Sequence, residues 1–315
     1  MIKYIFRRIC MVIPVIIGVT LFVFIIMDMS PGDPARMILG DNASLEALEI
    51  LREEMGLNDP LLVRYGKYML GMLRGDLGVS YRNQLDVASQ IAVRLPNTIL
   101  LAFSAMIVAL VIGIPAGIIS AKKQYTWLDN FFAVFALIGQ AAPTFWLGLM
   151  LVIVFSLNLR WFPSSGMKSG FFGTLQSLAL PALSVGYSTA AVVTRMTRSS
   201  MLEVINQEYN DTARAKGLKE SVITFKHMLK NALIPIITVV GLQVGFLLSG
   251  SVVTESIFSW PGLGRYMLDS IKTKDIPPVL GSVIVLSIVF TIVNLLVDLL
   301  YAFVDPRIKS QYKSN

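Results

Sequence analysis

The sequence holds few of the residues on which enzymes and disulfide-bonded proteins depend. Among its 315 residues there is one cysteine, Cys10, and one histidine, His227. A lone cysteine cannot form an intrachain disulfide, and no cluster of His, Cys, Asp or Glu has the spacing of a metal site. The chain also lacks a GxxxxGK[ST] phosphate-binding loop and a serine nucleophile elbow. We therefore expect no catalysis, no metal and no cofactor in this chain.

Charged residues are scarce as well. They make up 15% of the chain against 55% hydrophobic residues, and the mean hydropathy is +0.67. The charges avoid six apolar stretches, each close to or above the roughly 20 residues that cross a membrane as a helix. These stretches lie near residues 9–28, 98–120, 130–157, 178–194, 232–254 and 279–303. The pattern predicts an all-α polytopic membrane protein with six transmembrane helices.

The positions of the cations predict how the chain is oriented. With the N-terminus inside, the short inner segments hold fifteen Lys and Arg residues and the short outer loops hold five. This bias predicts that both termini are cytoplasmic, and it accounts for the net charge of +7 without a nucleic-acid partner. The basic start followed by an apolar run resembles a signal peptide. Because no small-residue cleavage site follows, we expect this run to stay as the first span.

The same pattern divides the chain into four parts. Residues 1–28 form an N-terminal tail and the first span, and residues 29–96 form a folded helical insertion on the extracytoplasmic side. Residues 97–303 form a five-helix core that contains a cytoplasmic loop at 195–231. Residues 304–315 form a cytoplasmic tail.

The loop at 195–231 is a polar, basic segment between two long apolar ones. In its centre, Ala213 and Gly217 are four residues apart and therefore share one face of a helix. Small residues on one face would let the backbone approach a partner surface, while Arg214 and Lys216 stay hydrated. The loop predicts a short docking helix that ends at Gly217, a residue suited to left-handed backbone. A solvated linker is the alternative.

The residues Asp211-Thr212-Ala213, followed by Gly217, resemble the EAA loop of bacterial ABC-importer permeases. In that family the loop forms a coupling helix that docks into a cleft of a cytoplasmic ATPase. The resemblance assigns ATPase coupling to the residues around the motif. These are Glu208, Tyr209, Asp211, Thr212, Ala213, Arg214, Ala215, Lys216 and Gly217. The sequence departs from the general pattern in its first two letters, Asp211 and Thr212.

Other motifs resemble the dipeptide, oligopeptide and nickel branch of the same family, so that the likeness covers nearly the whole chain. They are SPGDP at 30–34, GLNDPLLVRY at 56–65, LRGDLGVSY at 73–81, RLPNT at 94–98 and SVVTESIFSWPGLGR at 251–265. The resemblance implies a multi-pass permease in a bacterial or archaeal plasma membrane that forms half of a translocation path for di- or oligopeptides. It implies membrane lipid, a homologous second permease, two ATP-binding subunits that hold ATP and Mg, and an extracytoplasmic substrate-binding protein as partners.

Two alternatives stay open. An importer of the same type would carry nickel, glutathione or opines, because the binding protein rather than the pore selects the ligand. In a different class, the chain would be an ion-coupled secondary transporter. Such transporters often show inverted repeats or buried ionisable relays. Residues 1–157 and 158–315 show no convincing repeat, and charges in the middle of spans are almost absent.

Three side chains are candidates for the translocation path. Gln140, in the third span, would face another helix or an aqueous path, because an amide in hydrocarbon is costly. Gln243 lies in the fifth span among small and polar residues. Glu255 lies where that span meets the outside, and its carboxylate would meet the amino group of a peptide. The alternatives for Glu255 are a hydrated acid at the rim or a pair with Arg265.

Overall fold

A computed structural model describes residues 2–40 and 42–304, which are mostly helical. Within those residues, β pairing is limited to an isolated antiparallel bridge between Val79 and Asp86. The predicted all-α fold is confirmed, whereas the predicted tail from residue 305 onward lies outside the described residues. The α-helices are α1 Ile2–Met29, α2 Pro34–Leu39, α3 Leu45–Glu54, α4 Leu61–Leu73, α5 Val87–Lys122, α6 Trp127–Ala141, α7 Thr144–Leu151, α8 Phe171–Ile205, α9 Glu208–Ala215, α10 Glu220–Val222, α11 Leu229–Ile257, α12 Leu263–Lys272 and α13 Ile276–Val304. Two π-helical segments, Val152–Asn158 and Ile223–Met228, follow α7 and α10.

Five helical segments are long and apolar enough to cross a membrane, in agreement with five of the predicted spans. They are Met11–Met29, Val87–Lys122, Phe171–Ile205, Glu220–Leu248 and Ile276–Val297. A sixth span results if the bent pair Trp127–Ala141 and Thr144–Asn158 crosses as one.

The third predicted span, 130–157, is not a continuous helix. Its two halves meet at a bend of 107°. Pro143 lacks a backbone N–H, and its ring pushes the preceding residue out of helical conformation. Accordingly Ala142 is extended, at φ −75° and ψ 126°, and α7 begins directly after the proline. The apolar run at 130–157 predicts one span, and the bend within it was not predicted.

The contacts divide the chain into two compact units. The first holds Ile99–Ser259 and the described residues from Val293 onward. Its central helix is α8. Of the residues in the most apolar stretch of this helix, 72% are buried. Close packing explains this burial, because a Cβ on Gly117 of α5 would lie 2.4 Å from the Cβ of Thr197. Glycine at this position therefore allows α5 and α8 to touch through their backbones.

The second unit holds Ile2–Thr98 and Trp260–Ile292. One apolar cluster of this unit joins Phe24 and Met27 of α1 to Leu280 of α13, and Tyr65 and Tyr68 of α4 pack against it. The short helices α2, α3 and α4 end in turns with glycine at positive φ, at Gly40, Gly56 and Gly75. The segment 29–96 contains α2, α3, α4 and the start of α5, and it shares its core with α1 and the start of α13.

Candidate functional site

The loop after α8 contains the predicted short helix, α9. Glu208 and Asp211 lie in its first turn, where negative charge favours a helix N-terminus. Gly217 follows its end at φ +76°. The amide of Gly217 donates to the carbonyl of Arg214 at 2.9 Å, and the amide of Leu218 donates to that of Ala213 at 3.3 Å. This pair of bonds is a Schellman motif, and the predicted helix end at Gly217 is confirmed.

Hydrogen bonds from Asn210 connect α9 to the end of α8. Its side chain is fully buried, and its amide nitrogen donates to the carbonyls of Val204 at 2.7 Å and Ile205 at 3.3 Å. These carbonyls belong to the last turn of α8, which has no intrahelical donors for them. With a connector of only two residues, Asn206 and Gln207, the bonds hold α8 and α9 in a fixed geometry.

Ala213 faces inward rather than toward a partner. It is 7% exposed and belongs to an apolar cluster with Met201 of α8 and with Ile223 and Met228 of the π-helical segment that follows α10. Its small side chain lets α9 lie close to its own chain. The expectation that Ala213 offers a flat surface to another protein is therefore wrong, because that face of α9 is already covered.

The remaining site residues lie on the outside of α9. Those that are exposed are Glu208, Tyr209, Asp211, Thr212, Arg214, Ala215, Lys216 and Gly217. Arg214 connects this surface to the next helix, because its Nε donates to Glu220 and its Nη1 to Asp211, each at 2.8 Å. Tyr209 accepts a hydrogen bond from Asn231 of α11 at 3.0 Å. The result is a fixed polar surface, which we call the α9 surface.

A buried ion pair near the same loop was missed by the sequence reasoning. Asp129 of α6 is 4% exposed and binds Arg198 of α8 through two bonds of 2.8 Å. Ser120 of α5 and the amide of Tyr125 donate to the same carboxylate. We call these four residues the Asp129 clamp. Their sequence signal was weak, since Arg198 is one of several cations in its neighbourhood and Asp129 stands at the edge of an apolar run.

The three candidates for the translocation path occupy different environments. Gln140 is exposed at the end of α6, beside the bend, and Gln243 is half-buried on α11. Glu255 is fully buried, and Ser251 donates to its carboxylate at 3.4 Å. The alternative of a hydrated acid at the rim is therefore wrong, because the Glu255 side chain has no exposure to solvent. The path roles stay predictions.

Two signature motifs are joined in the second unit. The indole Nε1 of Trp260, which is fully buried, donates to the carbonyl of Asn97 at 3.0 Å. The side-chain amide nitrogen of Asn97, in turn, donates to the carbonyl of Pro261 at 2.9 Å. The hydroxyl of Thr98 accepts from the amide of Leu263 at 2.8 Å. The motifs RLPNT and SWPGLG thus satisfy each other's polar groups at the start of α12.

Lys274 and Asp275 join two further signature motifs in the same unit. Lys274 is 7% exposed, and its ammonium donates to the carbonyls of Ser30 and Gly32 in the SPGDP motif. Asp275 is 3% exposed and accepts from the Ser80 hydroxyl and from the Tyr81 amide, the latter at 2.8 Å. We call this pair the 274–275 anchor, because it ties both motifs to the loop before α13.

In the part of the chain that the structure describes, no group of three or more His, Cys, Asp or Glu side chains is placed to hold a metal ion.

The fold matches those of membrane subunits of solved ABC transporters. The methionine ABC transporter MetNI, in an inward-facing conformation, gives a TM-score of 0.56 at 15% sequence identity, covering 69% of this chain and 97% of the matched chain. A crystal structure of an amino acid ABC transporter gives 0.50 at 14% identity, covering 70% and 94%. These likenesses define the class: the chain has the fold of an ABC-transporter membrane subunit.

The sequence comparison gives the family. The profile described as "Binding-protein-dependent transport system inner membrane component" matches residues 113–310, and the profile of its N-terminal region matches residues 1–102. The chain belongs to this family, and it is a multi-pass inner-membrane permease subunit of an importer. The assignment agrees with the resemblance found in its motifs.

Three relatives match along almost their whole length. The dipeptide transport system permease protein DppB of Alkalihalophilus pseudofirmus is 43% identical, over 98% of this chain and 100% of the relative. The oligopeptide transport system permease protein AppB of Bacillus subtilis is also 43% identical, over the same shares. The glutathione transport system permease protein GsiC of Escherichia coli is 40% identical, over 98% and 99%.

Proposed function

We propose that this chain forms half of a translocation path for short peptides and that α9 docks onto a cytoplasmic ATPase. The observation that carries the docking role is the division of α9 into two faces. Asn210 and Ala213 on the inward face bind the chain's own helices, while the charged and polar α9 surface is exposed. A rigidly seated helix with an exposed polar face is suited to receive force from a partner.

The proposed assembly contains three kinds of protein partner besides lipid. A homologous second permease completes the path, two ATP-binding subunits hold ATP and Mg, and an extracytoplasmic binding protein delivers the substrate. The α9 surface faces the cytoplasm in this proposal, as do both termini. The chain itself holds no cofactor, since its part in the cycle is mechanical.

The proposed cycle runs from ATP binding to a change in access. Closure of the two ATPases displaces α9, and the helices joined to α9 follow. To reverse a two-state equilibrium almost completely, from 1:99 to 99:1, ATP must favour one state by about 5.5 kcal/mol. A loosely held α9 would lose part of this free energy in local motion, and the Asn210 bonds oppose such a loss.

The proposed substrates are compounds with peptide bonds. The relatives' names include dipeptide, oligopeptide and glutathione, which share amide groups, an amino group and carboxylates. Gln140 beside the bend and Gln243 on α11 would offer amide hydrogen bonds to such compounds. Nickel and opines remain the competing cargoes.

Purification of the tagged chain with its native partners, followed by reconstitution in liposomes, tests this proposal. We expect a second permease and ATP-binding subunits in fixed ratio, and uptake of labelled dipeptide, tetrapeptide or glutathione that requires both ATP and the binding protein. ATP-dependent uptake of Ni²⁺ without peptide uptake would reject the substrate class. Transport by the chain alone in ATP-free liposomes would favour an ion-coupled secondary transporter instead.

A further inference from the structure

The carboxylate of Asp129 has its hydrogen-bonding positions filled by donors from three segments of the chain. Its Oδ1 accepts from the Ser120 hydroxyl of α5 and from Arg198 Nε of α8. Its Oδ2 accepts from Arg198 Nη2 and from the amide of Tyr125. Two parallel bonds between a guanidinium and a carboxylate fix distance and angle together. The Asp129 clamp therefore holds the ends of α5, α6 and α8 in one arrangement.

The clamp lies close to the joint between α8 and α9. Arg198 precedes the end of α8 at Ile205 by two turns of uninterrupted helix. Beyond that end, Asn210 bonds α9 to the last carbonyls of α8. A displacement of α9 therefore reaches Arg198 through one continuous helix and one rigid joint.

On the other side of the clamp, α6 leads to the bend. The helix runs along α8, where the Tyr187 hydroxyl donates to the carbonyl of Phe135 at 2.9 Å. Farther along, a Cβ on Gly139 would lie 2.8 Å from the Cβ of Ala191. The helix ends at Ala141, one residue after Gln140. The clamp and the bend thus occupy opposite ends of one 15-residue helix.

We propose that Asp129 is a positioning residue that transmits the movement of α9 to the bent span through Arg198. This inference rests on the proposed docking of α9 onto an ATPase. In the described residues, the other contacts between α6 and α8 are packing contacts and a single bond from a hydroxyl to a carbonyl, which tolerate small shifts along the helix axis. The ion pair does not tolerate them, because both of its bonds lengthen when α8 moves and α6 stays.

Three substitutions distinguish a positioning role of the Asp129–Arg198 pair from a requirement for a charged residue at either position. Arg198→Lys keeps the cation but removes the planar fork that makes two bonds. Asp129→Asn keeps the shape of the side chain but removes its charge. Arg195→Lys is the matched control, since Arg195 lies one turn earlier on α8 and is exposed. Each substitution is made in the complete transporter, with assembly measured as the ratio of its subunits.

The first measurement is peptide transported per ATP hydrolysed. We expect Arg198→Lys and Asp129→Asn to lower this ratio by about tenfold, within the range of allosteric coupling between sites. Assembly and basal ATP hydrolysis should remain, and Arg195→Lys should match the unsubstituted transporter. An unchanged ratio in Arg198→Lys would overturn the inference. Loss of assembly in both clamp variants would also overturn it, because it would identify a structural role.

The second measurement is the distance between α6 and α8 with and without ATP. If Asp129 had only a structural role, this distance would respond to ATP in the same way with and without the clamp. In a Cys10→Ser background, spin labels at Asn130 of α6 and Glu203 of α8, both exposed, report the distance between the two helices. With the clamp intact we expect this distance to stay constant when ATP binds, and in Arg198→Lys we expect it to change with ATP. A distance that changes in the intact protein, or stays constant in the variant, contradicts the inference.

A cross-link separates failure of this inference from failure of the proposed function. In the otherwise unsubstituted complex, a cysteine at Lys216 on the α9 surface should form a disulfide with a cysteine series on the ATPase. Absence of any such cross-link would reject the docking of α9. A cross-link accompanied by unchanged coupling in the clamp variants would reject the clamp alone.

Discussion

The α9 surface and the 274–275 anchor are both built from polar side chains, but they use them in opposite ways. In α9 one polar residue, Asn210, points inward and the other charged and polar residues are exposed. At the anchor, Lys274 and Asp275 are both nearly buried and bind backbone groups of distant segments. Polar residues that stay in water leave a surface free for a partner. Polar residues that are buried and satisfied hold the chain's own parts together.

The difference has an energetic consequence. A buried polar group that loses its partner costs more than an exposed one, because water cannot replace the lost bond. Substitutions at the anchor should therefore lower stability, whereas substitutions of the polar and charged side chains on the α9 surface should leave stability nearly unchanged and alter coupling. The predictions below test this contrast, beginning with the largest expected loss of stability.

Asp275→Ala should have the largest effect on stability. The change removes the acceptor of the Ser80 hydroxyl and of the Tyr81 amide and leaves both donors without it. We expect the free energy of unfolding to fall by about 3 kcal/mol, the sum of two charge-assisted bonds. Thermal unfolding of the purified transporter measures it. Asp269→Asn is the control, since Asp269 is half-exposed and its ion pairs are 3.6 Å long. Equal losses in the two variants would contradict the role of the anchor.

Lys274→Met should have the next largest effect. Methionine keeps much of the apolar stem but cannot donate to the carbonyls of Ser30 and Gly32. We expect a loss of about 2 kcal/mol, because both carbonyls lose their hydrogen bond to a charged donor. Limited proteolysis should show earlier cleavage within the SPGDP motif. The control is Lys272→Met at the end of α12, where the lysine ammonium is exposed. Resistance to protease equal to that of the control would show that Lys274 does not hold this motif.

Gly217→Val, on the α9 surface, is compared with Gly75→Val, because the two glycines have similar backbone geometry. Gly217 and Gly75 both follow a helix end at positive φ, +76° and +85°, and a Cβ at either would meet nothing within 4 Å. A side chain in left-handed backbone costs about 1–2 kcal/mol, so both variants should lose a similar amount of stability. Only Gly217→Val should also lower the uptake per ATP hydrolysed. If Gly75→Val lowers this ratio equally, the effect is not specific to docking.

The sequence predicted the elements whose signals are local. Long apolar runs located the membrane helices, and Gly217 located the end of α9 because its backbone requirement depends on nothing distant. The bend was missed although its signal was present. Pro143 lies inside the apolar run at 130–157, but the length and hydropathy of that run predict a span without indicating whether its helix is continuous.

The residues that the sequence misplaced depend on distant partners. A small residue such as Ala213 permits close packing, but spacing alone does not say whether the partner is another protein or the chain itself. Similarly, Asp129 and Arg198 are 69 residues apart, and no periodicity connects them. Glu255 lies near the end of a span in sequence, yet it is fully buried. Local patterns thus identified helices and turns, while burial and ion pairs required the tertiary arrangement.

The smallest predicted effect is the loss of stability when Arg214 is replaced, and Arg52 provides a comparison within the same chain. Arg214 on the α9 surface binds Asp211 and Glu220, whose side chains are 76% and 55% exposed. Arg52 also binds two acids, but its main partner, Asp33, is 22% exposed and accepts a bond from the first turn of α2 as well. Exposed ion pairs add little stability, because both charges are already well hydrated and salt screens them.

Arg214→Gln should therefore leave the melting temperature nearly unchanged, and any difference should vanish in high salt. Arg52→Gln should lower the melting temperature more, because Asp33 would lose a partner in a less hydrated position. Melting curves of both variants at low and high salt provide the comparison. A larger loss for Arg214→Gln would mean that the Arg214 ion pairs hold α9 in place, and α9 would then resemble the anchor rather than a surface left free for the ATPase.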